Sequence, residues 1–210
     1  MVFLISILLG LSMGSGTVFS LQYGAGDLPA LRRSIYVSFL LIGTVTVLLN
    51  VAVFLWLDPI LRWLQVPYDV YPLMRNYLWI IFWGIAFTFL YNFYAALLRA
   101  VGDSVTPLWF LAVSVVLNIG LDLFLILVLD QGIEGAAVAT VIAQGMAASG
   151  ILLYTYKTLP ELRLHREDMR FDRSSLKEIT SFSTLTCVQQ SVMNFGILMV
   201  QGLSLIHISE

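Results

Sequence analysis

Charged side chains are scarce in this sequence, and their scarcity excludes most classes of soluble protein. Only 11% of the 210 residues are charged and 59% are hydrophobic, whereas soluble domains average about 25% charged and about 45–50% apolar. The net charge of −2 provides no excess of basic side chains for a nucleic-acid partner. We therefore predict an all-α, polytopic helix bundle located in a membrane, with the lipid bilayer as its surroundings.

Cysteine and histidine are almost absent, with one and two copies. The single cysteine, Cys187, has no second cysteine for an internal disulfide, and no Cys/His spacing typical of a zinc site occurs. A Ser/His/Asp set and a phosphate-binding glycine loop are also lacking, and membrane enzymes that use Mg²⁺ need several acidic ligands. These absences argue against an enzyme, and we predict no cofactor.

Long apolar runs recur along the chain, each close to the length of about 20 residues that crosses a bilayer as a helix. We predict six spans, at residues 1–21, 35–57, 77–98, 107–129, 132–156 and 179–206. Residues 58–76 mix tryptophan, tyrosine and single charges, which predicts a short helix at the membrane interface. Residues 157–178 are rich in charge of both signs and predict an aqueous linker.

Lysine and arginine are distributed unevenly between the two sides of these spans. Nine of the eleven lie in the alternate loops 22–34, 99–106 and 157–178, and the other two are Arg62 and Arg75. Cytoplasmic loops of membrane proteins carry the excess of positive charge. The linker is therefore predicted to lie in the cytoplasm and residue 1 on the outer side.

One acidic residue, Asp122, lies inside an otherwise uncharged apolar span. An ionised carboxylate in hydrocarbon costs about 2.5–3.5 kcal/mol on insertion scales, and intramembrane acids commonly mark ion pathways. Ser114, Asn118 and Asp122 are each four residues apart, so they share one helix face. The alternative is a neutral Asp122 that hydrogen-bonds to Asn118 and only holds helices together.

The next span carries a ridge of small or polar residues at the same spacing, namely Gly132, Ala136, Thr140, Gln144 and Ala148. Small residues at this spacing let two helices approach closely in a membrane. We predict that the two ridges face each other, or face one polar cavity, around the carboxyl group.

A second group of polar residues lies in the third span, where Thr88, Tyr91 and Asn92 are close together. These side chains either line a cavity or only make hydrogen bonds between helices, and the sequence favours neither alternative. The candidate substrate cavity consists of Tyr91, Asn92, Ser114 and Gln144.

Four motifs occur in order: Gly24-Ala-Gly-Asp27, Leu98-Arg-Ala-Val-Gly-Asp-Ser-Val-Thr-Pro107, Asn118-Ile-Gly-Leu-Asp122 and Gly132-Ile-Glu-Gly-Ala-Ala-Val-Ala-Thr140. In sequence and spacing they resemble the multidrug and toxic compound extrusion (MATE) transporters. The resemblance covers about residues 1–203. It implies a transporter of twelve helices in two six-helix lobes, of which this sequence resembles helices two to seven.

The domain organisation follows from that resemblance. Residues 1–156 would form the first lobe without its first helix, residues 157–178 the cytoplasmic linker, and residues 179–210 a truncated first helix of the second lobe. The first helix and nearly all of the second lobe have no counterpart in this sequence. Residues 204–210 depart from the family pattern.

The resemblance also implies a cation site. In the family this site uses an Asp, an Asn and a Thr that correspond to Asp122, Asn118 and Thr140, with a carbonyl group that corresponds to that of Ala136. The family site includes a further Asp on the first helix, which this sequence does not contain. The coupling ion is H⁺ or Na⁺, and Na⁺ at Asp122 is the only metal ion expected.

The implied function is export of amphipathic or cationic drugs or metabolites, driven by inward cation flow and alternating access. One alternative is a flippase for lipid-linked saccharides of the same superfamily. Such flippases often carry buried basic residues, and no Lys or Arg lies within a predicted span, which favours the exporter. Another alternative, a non-transporting membrane subunit, would leave Asp122 unexplained.

Overall fold

The computed structural model describes residues 2–63, 65–164 and 172–208, and all regular structure in these residues is helical. The α-helices are α1 (Val2–Gly24), α2 (Leu28–Trp63), α3 (Tyr71–Trp83), α4 (Ile85–Ala100), α5 (Val105–Leu123), α6 (Gly132–Thr158) and α7 (Arg173–Ile208). A π-helical turn, Phe124–Val128, follows α5, and a 3₁₀ turn, Pro160–Leu162, follows α6. The predicted all-α bundle is confirmed, and residues 165–171 of the predicted linker lie outside the described residues.

Five segments of the described chain are long and apolar enough to cross a membrane, namely Ile5–Gly24, Leu28–Trp63, Tyr71–Ala100, Val105–Val128 and Gly132–Thr158. They correspond to the first five predicted spans and make this a multi-pass membrane protein. The sixth predicted span, 179–206, lies in α7, a helix of 36 residues. Although α7 is long enough, it is not among these five segments, and serine, threonine and glutamine recur along it.

The predicted interfacial helix at residues 58–76 is wrong. α2 continues through Pro59 as far as Trp63, and α3 begins at Tyr71. Proline weakens a helix because it has no N–H donor, yet membrane helices tolerate it where neighbouring groups compensate. Leu57 and Leu61 on either side of the proline are buried in the core, and this packing favours continuation of the last turns of α2.

The third predicted span, 77–98, is interrupted at Gly84, which separates α3 from α4. The Gly84 N–H donates to the carbonyl oxygen of Ile81 at 2.9 Å, so the chain tightens there. A Cβ atom at Gly84 would lie 2.8 Å from Oε1 of Gln144 on α6. The missing side chain therefore permits a close approach of α6.

Short capped turns join the helices at one end of the bundle. Gly26 and Gly102 have φ values of 74° and 95°, a left-handed conformation that ends a helix and favours glycine. The next residues, Asp27 and Asp103, each accept a hydrogen bond of 3.0 Å from a backbone N–H of the following helix. Hydrogen bonds from Thr106 lower the pKa of Asp103.

Phenylalanine rings fill the core between α1, α2 and α4. Phe19, Phe39, Phe89 and Phe93 pack in edge-on or tilted pairs with ring centroids 5.4 to 6.0 Å apart. Such geometries are the favourable ones for aromatic pairs. This core fixes α4, against which α6 packs.

Glycines bring α1 and α7 into backbone contact. A Cβ atom at Gly14 would lie 2.4 Å from the Cα of Ser183, and one at Gly10 would lie 2.7 Å from the Cα of Cys187. Gly10 and Gly14 are four residues apart on α1, and Ser183 and Cys187 are four residues apart on α7. Small residues at this spacing allow close packing of helices in membranes.

The two ends of the bundle are tied by different contacts. At one end, Arg32 Nε donates to the Glu161 carbonyl oxygen at 2.8 Å. At the other end, Arg75 Nε lies 2.8 Å from Asp58 Oδ1, and α3 is linked to α6 by an amide–carboxylate hydrogen bond. The described parts of the loops 22–34 and 157–178 thus lie at one end of the molecule, and Ser20 Oγ donates to the Ala100 carbonyl oxygen at 3.5 Å beside the loop 99–106.

Candidate functional site

α5 and α6 form an antiparallel pair, and small residues on α6 set their separation. Ser114 Oγ donates to the carbonyl oxygen of Ala143 at 3.0 Å. A Cβ atom at Gly150 would lie 2.6 Å from the Phe110 ring. α5 packs chiefly on α6 and is otherwise largely exposed, so its polar residues meet this one partner. The two polar ridges meet through Asn118 and Thr140, whereas Gln144 on the α6 ridge faces α4.

Three of the four predicted cation-site residues form a hydrogen-bond chain across this pair. Asn118 Nδ2 donates to Thr140 Oγ1 at 3.4 Å, and Thr140 Oγ1 donates to the carbonyl oxygen of Ala136 at 2.9 Å. All three residues are half-buried. The hydroxyl proton of Thr140 is therefore directed at Ala136, while its oxygen accepts from α5.

Asp122 lies one helical turn beyond Asn118 on the same face of α5. Its side chain is half-buried, and its Oδ1 atom is shielded from solvent with no hydrogen-bond partner among the described residues. A buried polar atom without a partner is unfavourable unless something else satisfies it. A bound proton or a bound cation would do so at this position.

The backbone next to Asp122 departs from regular α-helix. α5 ends at Leu123, and the next five residues form the π-helical turn Phe124–Val128. Such turns are uncommon and occur frequently at functional sites. The residue therefore stands at the junction of two helical geometries, close to the turn into α6.

The chemistry of the site is that of oxygen ligands. A carboxylate, the Asn118 amide oxygen, the Thr140 hydroxyl and the Ala136 carbonyl all lie on facing surfaces of α5 and α6. Hard cations prefer such oxygen ligands, and a protonated carboxyl group can donate a hydrogen bond to any of them. The arrangement therefore suits either Na⁺ or H⁺.

The four residues predicted for the substrate cavity have protein partners. Tyr91 donates its hydroxyl to the Pro107 carbonyl oxygen at 2.8 Å, and Asn92 Nδ2 donates to the Thr88 carbonyl oxygen at 2.8 Å. Gln144 Oε1 accepts from Thr88 Oγ1 at 3.3 Å, and Ser114 is bonded to α6 as described above. Tyr91 thus ties α4 to α5, and a cavity-lining role for the four stays a prediction.

The contact of Gly84 and Thr88 with Gln144 was not predicted from the sequence. Gly84 and Thr88 are four residues apart, and the single hydroxyl proton of Thr88 is shared between the Gly84 carbonyl oxygen at 3.1 Å and Gln144 Oε1 at 3.3 Å. The same spacing rule that singled out the ridges on α5 and α6 would have found this third ridge. It places a second polar contact on α6, one turn from Thr140.

Comparison with known proteins finds relatives of this chain. The family model described as MatE matches residues 1–124. The "Probable multidrug resistance protein YpnP" of Bacillus subtilis (strain 168) is 39% identical over 153 residues, 73% of this chain and 34% of the relative. The "Probable multidrug resistance protein YoeA" of the same strain is 34% identical over 175 residues, 81% of this chain and 36% of the relative.

Solved structures show the same fold. The crystal structure of MATE in complex with MaD3S superimposes with a TM-score of 0.88 and 20% sequence identity, covering 98% of this chain and 46% of that one. An outward-facing multidrug resistance MATE family transporter of the MOP superfamily gives a TM-score of 0.87 at 20% identity, covering 97% and 46%. This chain thus spans less than half the length of the relatives it matches.

Proposed function

This chain belongs to the MATE family of multidrug efflux transporters, and on that premise we propose that it forms part of a cation-coupled antiporter. Members of the family are transporters and not enzymes, which agrees with the expectation from the sequence. The proposed cargo is an amphipathic or cationic small molecule that leaves the cell as H⁺ or Na⁺ enters.

The proposed domain organisation assigns residues 1–156 to a first lobe, 157–178 to a cytoplasmic linker and 179–210 to the start of a second lobe. Two observations support it. Basic loops gather at one end of the bundle, and α1 to α4 share one hydrophobic core on which α6, and through it α5, pack. A second lobe, supplied by the intact protein, would complete the pathway around a midplane site as in other transporters.

The observation that carries the proposed coupling site is the unsatisfied Oδ1 of Asp122 beside the Asn118–Thr140–Ala136 chain. When Asp122 is protonated, its carboxyl group can donate to Asn118 or Thr140 and the two helices can pack closely. When it is ionised, it needs a cation or water, because a bare carboxylate is costly in the bilayer. Ion binding and helix packing are thereby coupled.

The exporter is favoured over the saccharide flippase by the charges within the described spans. The only Lys or Arg residues in the α2 and α3–α4 spans are within a few residues of the helix ends, and all are exposed or half-buried. A flippase site for a pyrophosphate group would need basic side chains inside the bundle. The described spans offer the half-buried acid Asp122 instead.

The test replaces the carboxylate of Asp122 by the neutral amide of nearly the same shape. Asp122→Asn in the intact protein should insert normally but lose drug efflux driven by an imposed pH or Na⁺ gradient in membrane vesicles. Asp130→Asn is the matched control, because Asp130 is exposed in the turn between the same two helices and has a φ of 52°, which Asn tolerates. If Asp122→Asn exported the drug at the wild-type rate with unchanged gradient dependence, the carboxylate would have only a structural role and the proposed coupling would be wrong.

A further inference from the structure

A cleft of about 380 Å³ opens between α2, α4, α6 and the first residues of the linker. Its walls are mostly apolar, with Ile35, Leu97, Leu152, Leu159 and Leu164 among them. The cleft lies at the end of the bundle where the arginine-rich loops gather, remote from the α5–α6 site. None of the residues predicted for the cation site or for the substrate cavity lines it.

One guanidinium group lines this otherwise apolar cleft. Arg163 Nε donates to the Tyr156 carbonyl oxygen at 3.1 Å, and its guanidinium carbon lies 4.4 Å from the centroid of the Tyr156 ring. The hydrogen bond and the stacking fix the plane of the group. Among the described residues, no acidic side chain forms an ion pair with Arg163, and its two terminal nitrogens have no hydrogen-bond partner there.

The 3₁₀ turn that precedes Arg163 is anchored to the helix bundle by two contacts. The 3₁₀ turn Pro160–Leu162 is anchored to the bundle because Leu162 is buried in the main core. Arg32 on α2 donates from Nε to the Glu161 carbonyl oxygen at 2.8 Å. Because of these two contacts, Arg163 directly follows a fixed turn. The cleft and the Arg163 guanidinium that lines it are therefore in place before any ligand binds.

We propose that this cleft binds an anionic phospholipid of the surrounding bilayer, with the lipid phosphate on Arg163 and an acyl chain against the leucine walls. A planar guanidinium suits phosphate oxygens, which it can bind through two parallel hydrogen bonds. Basic pockets between transmembrane helices on the cytoplasmic side are known to hold anionic lipid head groups. The assignment to the inner leaflet rests on the proposed orientation, whereas binding itself does not.

The test measures lipid binding by the purified intact protein in a neutral detergent, by native mass spectrometry. Dioleoylphosphatidylglycerol is the anionic probe, and dioleoylphosphatidylcholine is the zwitterionic probe with the same chains. The wild-type protein should prefer the anionic lipid. Arg163→Gln should weaken its binding at least about fivefold, the value of one basic side chain near a lipid surface, and leave phosphatidylcholine binding unchanged.

Lys157→Gln is the matched control, because Lys157 is an exposed cation close by on α6 that does not line the cleft. It should retain the wild-type preference. Glycerophosphoglycerol, the head group without chains, separates a lipid from a soluble phosphate ligand and should not displace the lipid at equal concentration.

Three results would overturn the proposal. They are equal wild-type affinity for the two lipids, an unchanged preference in Arg163→Gln, and displacement of the lipid by glycerophosphoglycerol. The first and the third need no variant, so they decide the question even if Arg163→Gln fails to fold. None depends on transport, so a failure of the proposed efflux function would leave this test intact.

Discussion

Thr140 joins the two helices of the candidate site, because its hydroxyl accepts from Asn118 and donates to the carbonyl oxygen of Ala136. The spacing of four in the sequence predicted that Asn118 and Thr140 would meet. It could not show that Tyr91 and Asn92 are bonded to carbonyl groups, because such bonds depend on rotamers and on the position of the neighbouring chain. Side-chain partners of this kind follow from the packed structure and not from periodicity.

The hydroxyl of Thr140 can be removed without changing the shape of its side chain. Thr140→Val in the intact protein should raise the concentration of driving ion needed for half-maximal efflux by about two- to tenfold, since one net hydrogen bond contributes about 0.5–1.5 kcal/mol. Substrate affinity should change less. The measurement is efflux rate as a function of ion concentration, with direct substrate binding measured in parallel.

Thr140→Ser is the control for that experiment, because serine keeps the hydroxyl and loses only a methyl group. It should stay close to the wild type in ion dependence. An equal shift in the valine and serine variants, or no shift in either, would show that the Thr140 hydroxyl does not contribute to ion coupling.

Helices and their boundaries were predictable to different degrees. Hydrophobic run length located five membrane helices, because burying about 20 apolar residues in a bilayer is favourable wherever they occur. It failed at residues 58–76, where Pro59 and the mixed composition indicated a boundary but the buried Leu57 and Leu61 extend α2. The break at Gly84 was also missed, since it depends on the approach of Gln144 from another helix.

The close contact between α1 and α7 at Gly14 can be tested by comparing two glycine substitutions on α1. Gly14→Ala places a methyl group against the backbone of Ser183, and such overpacking costs about 1–3 kcal/mol. The thermal unfolding midpoint of the intact protein in detergent should therefore fall. Gly24→Ala, at the end of α1, is the control because a Cβ there meets nothing within 4 Å; equal midpoints for the two variants would contradict the contact.

The molecule as a whole has two chemically distinct ends, and this asymmetry was visible in the Lys and Arg count. The loops grouped at one end by contacts such as Arg32–Glu161 are those that carry nine of the eleven basic residues. Charge bias predicts the side of the membrane, and the structure shows the grouping of the loops. The cleft at that end could not be predicted from the sequence, because its walls come from separate helices.

Topology can be tested by labelling from each side of the membrane. Ser174→Cys and Gln131→Cys are introduced separately into the intact protein with Cys187→Ser and any other cysteines replaced. In the proposed orientation, an impermeant thiol reagent added outside intact cells should label the cysteine at position 131, and that at position 174 only after the cells are opened. Labelling of both positions from the same side would refute the arrangement.

The central claim is that Asp122 carries the coupling ion, and substrate-driven ion flux tests it most directly. Proteoliposomes containing the intact protein are loaded with a cationic drug, and the uptake of H⁺ or Na⁺ is recorded as the drug leaves. Wild type and Asp130→Asn should take up the ion only when the drug is present. Asp122→Asn should take up none above the protein-free background while still binding the drug. Drug-dependent ion uptake by Asp122→Asn at the wild-type rate would contradict the account.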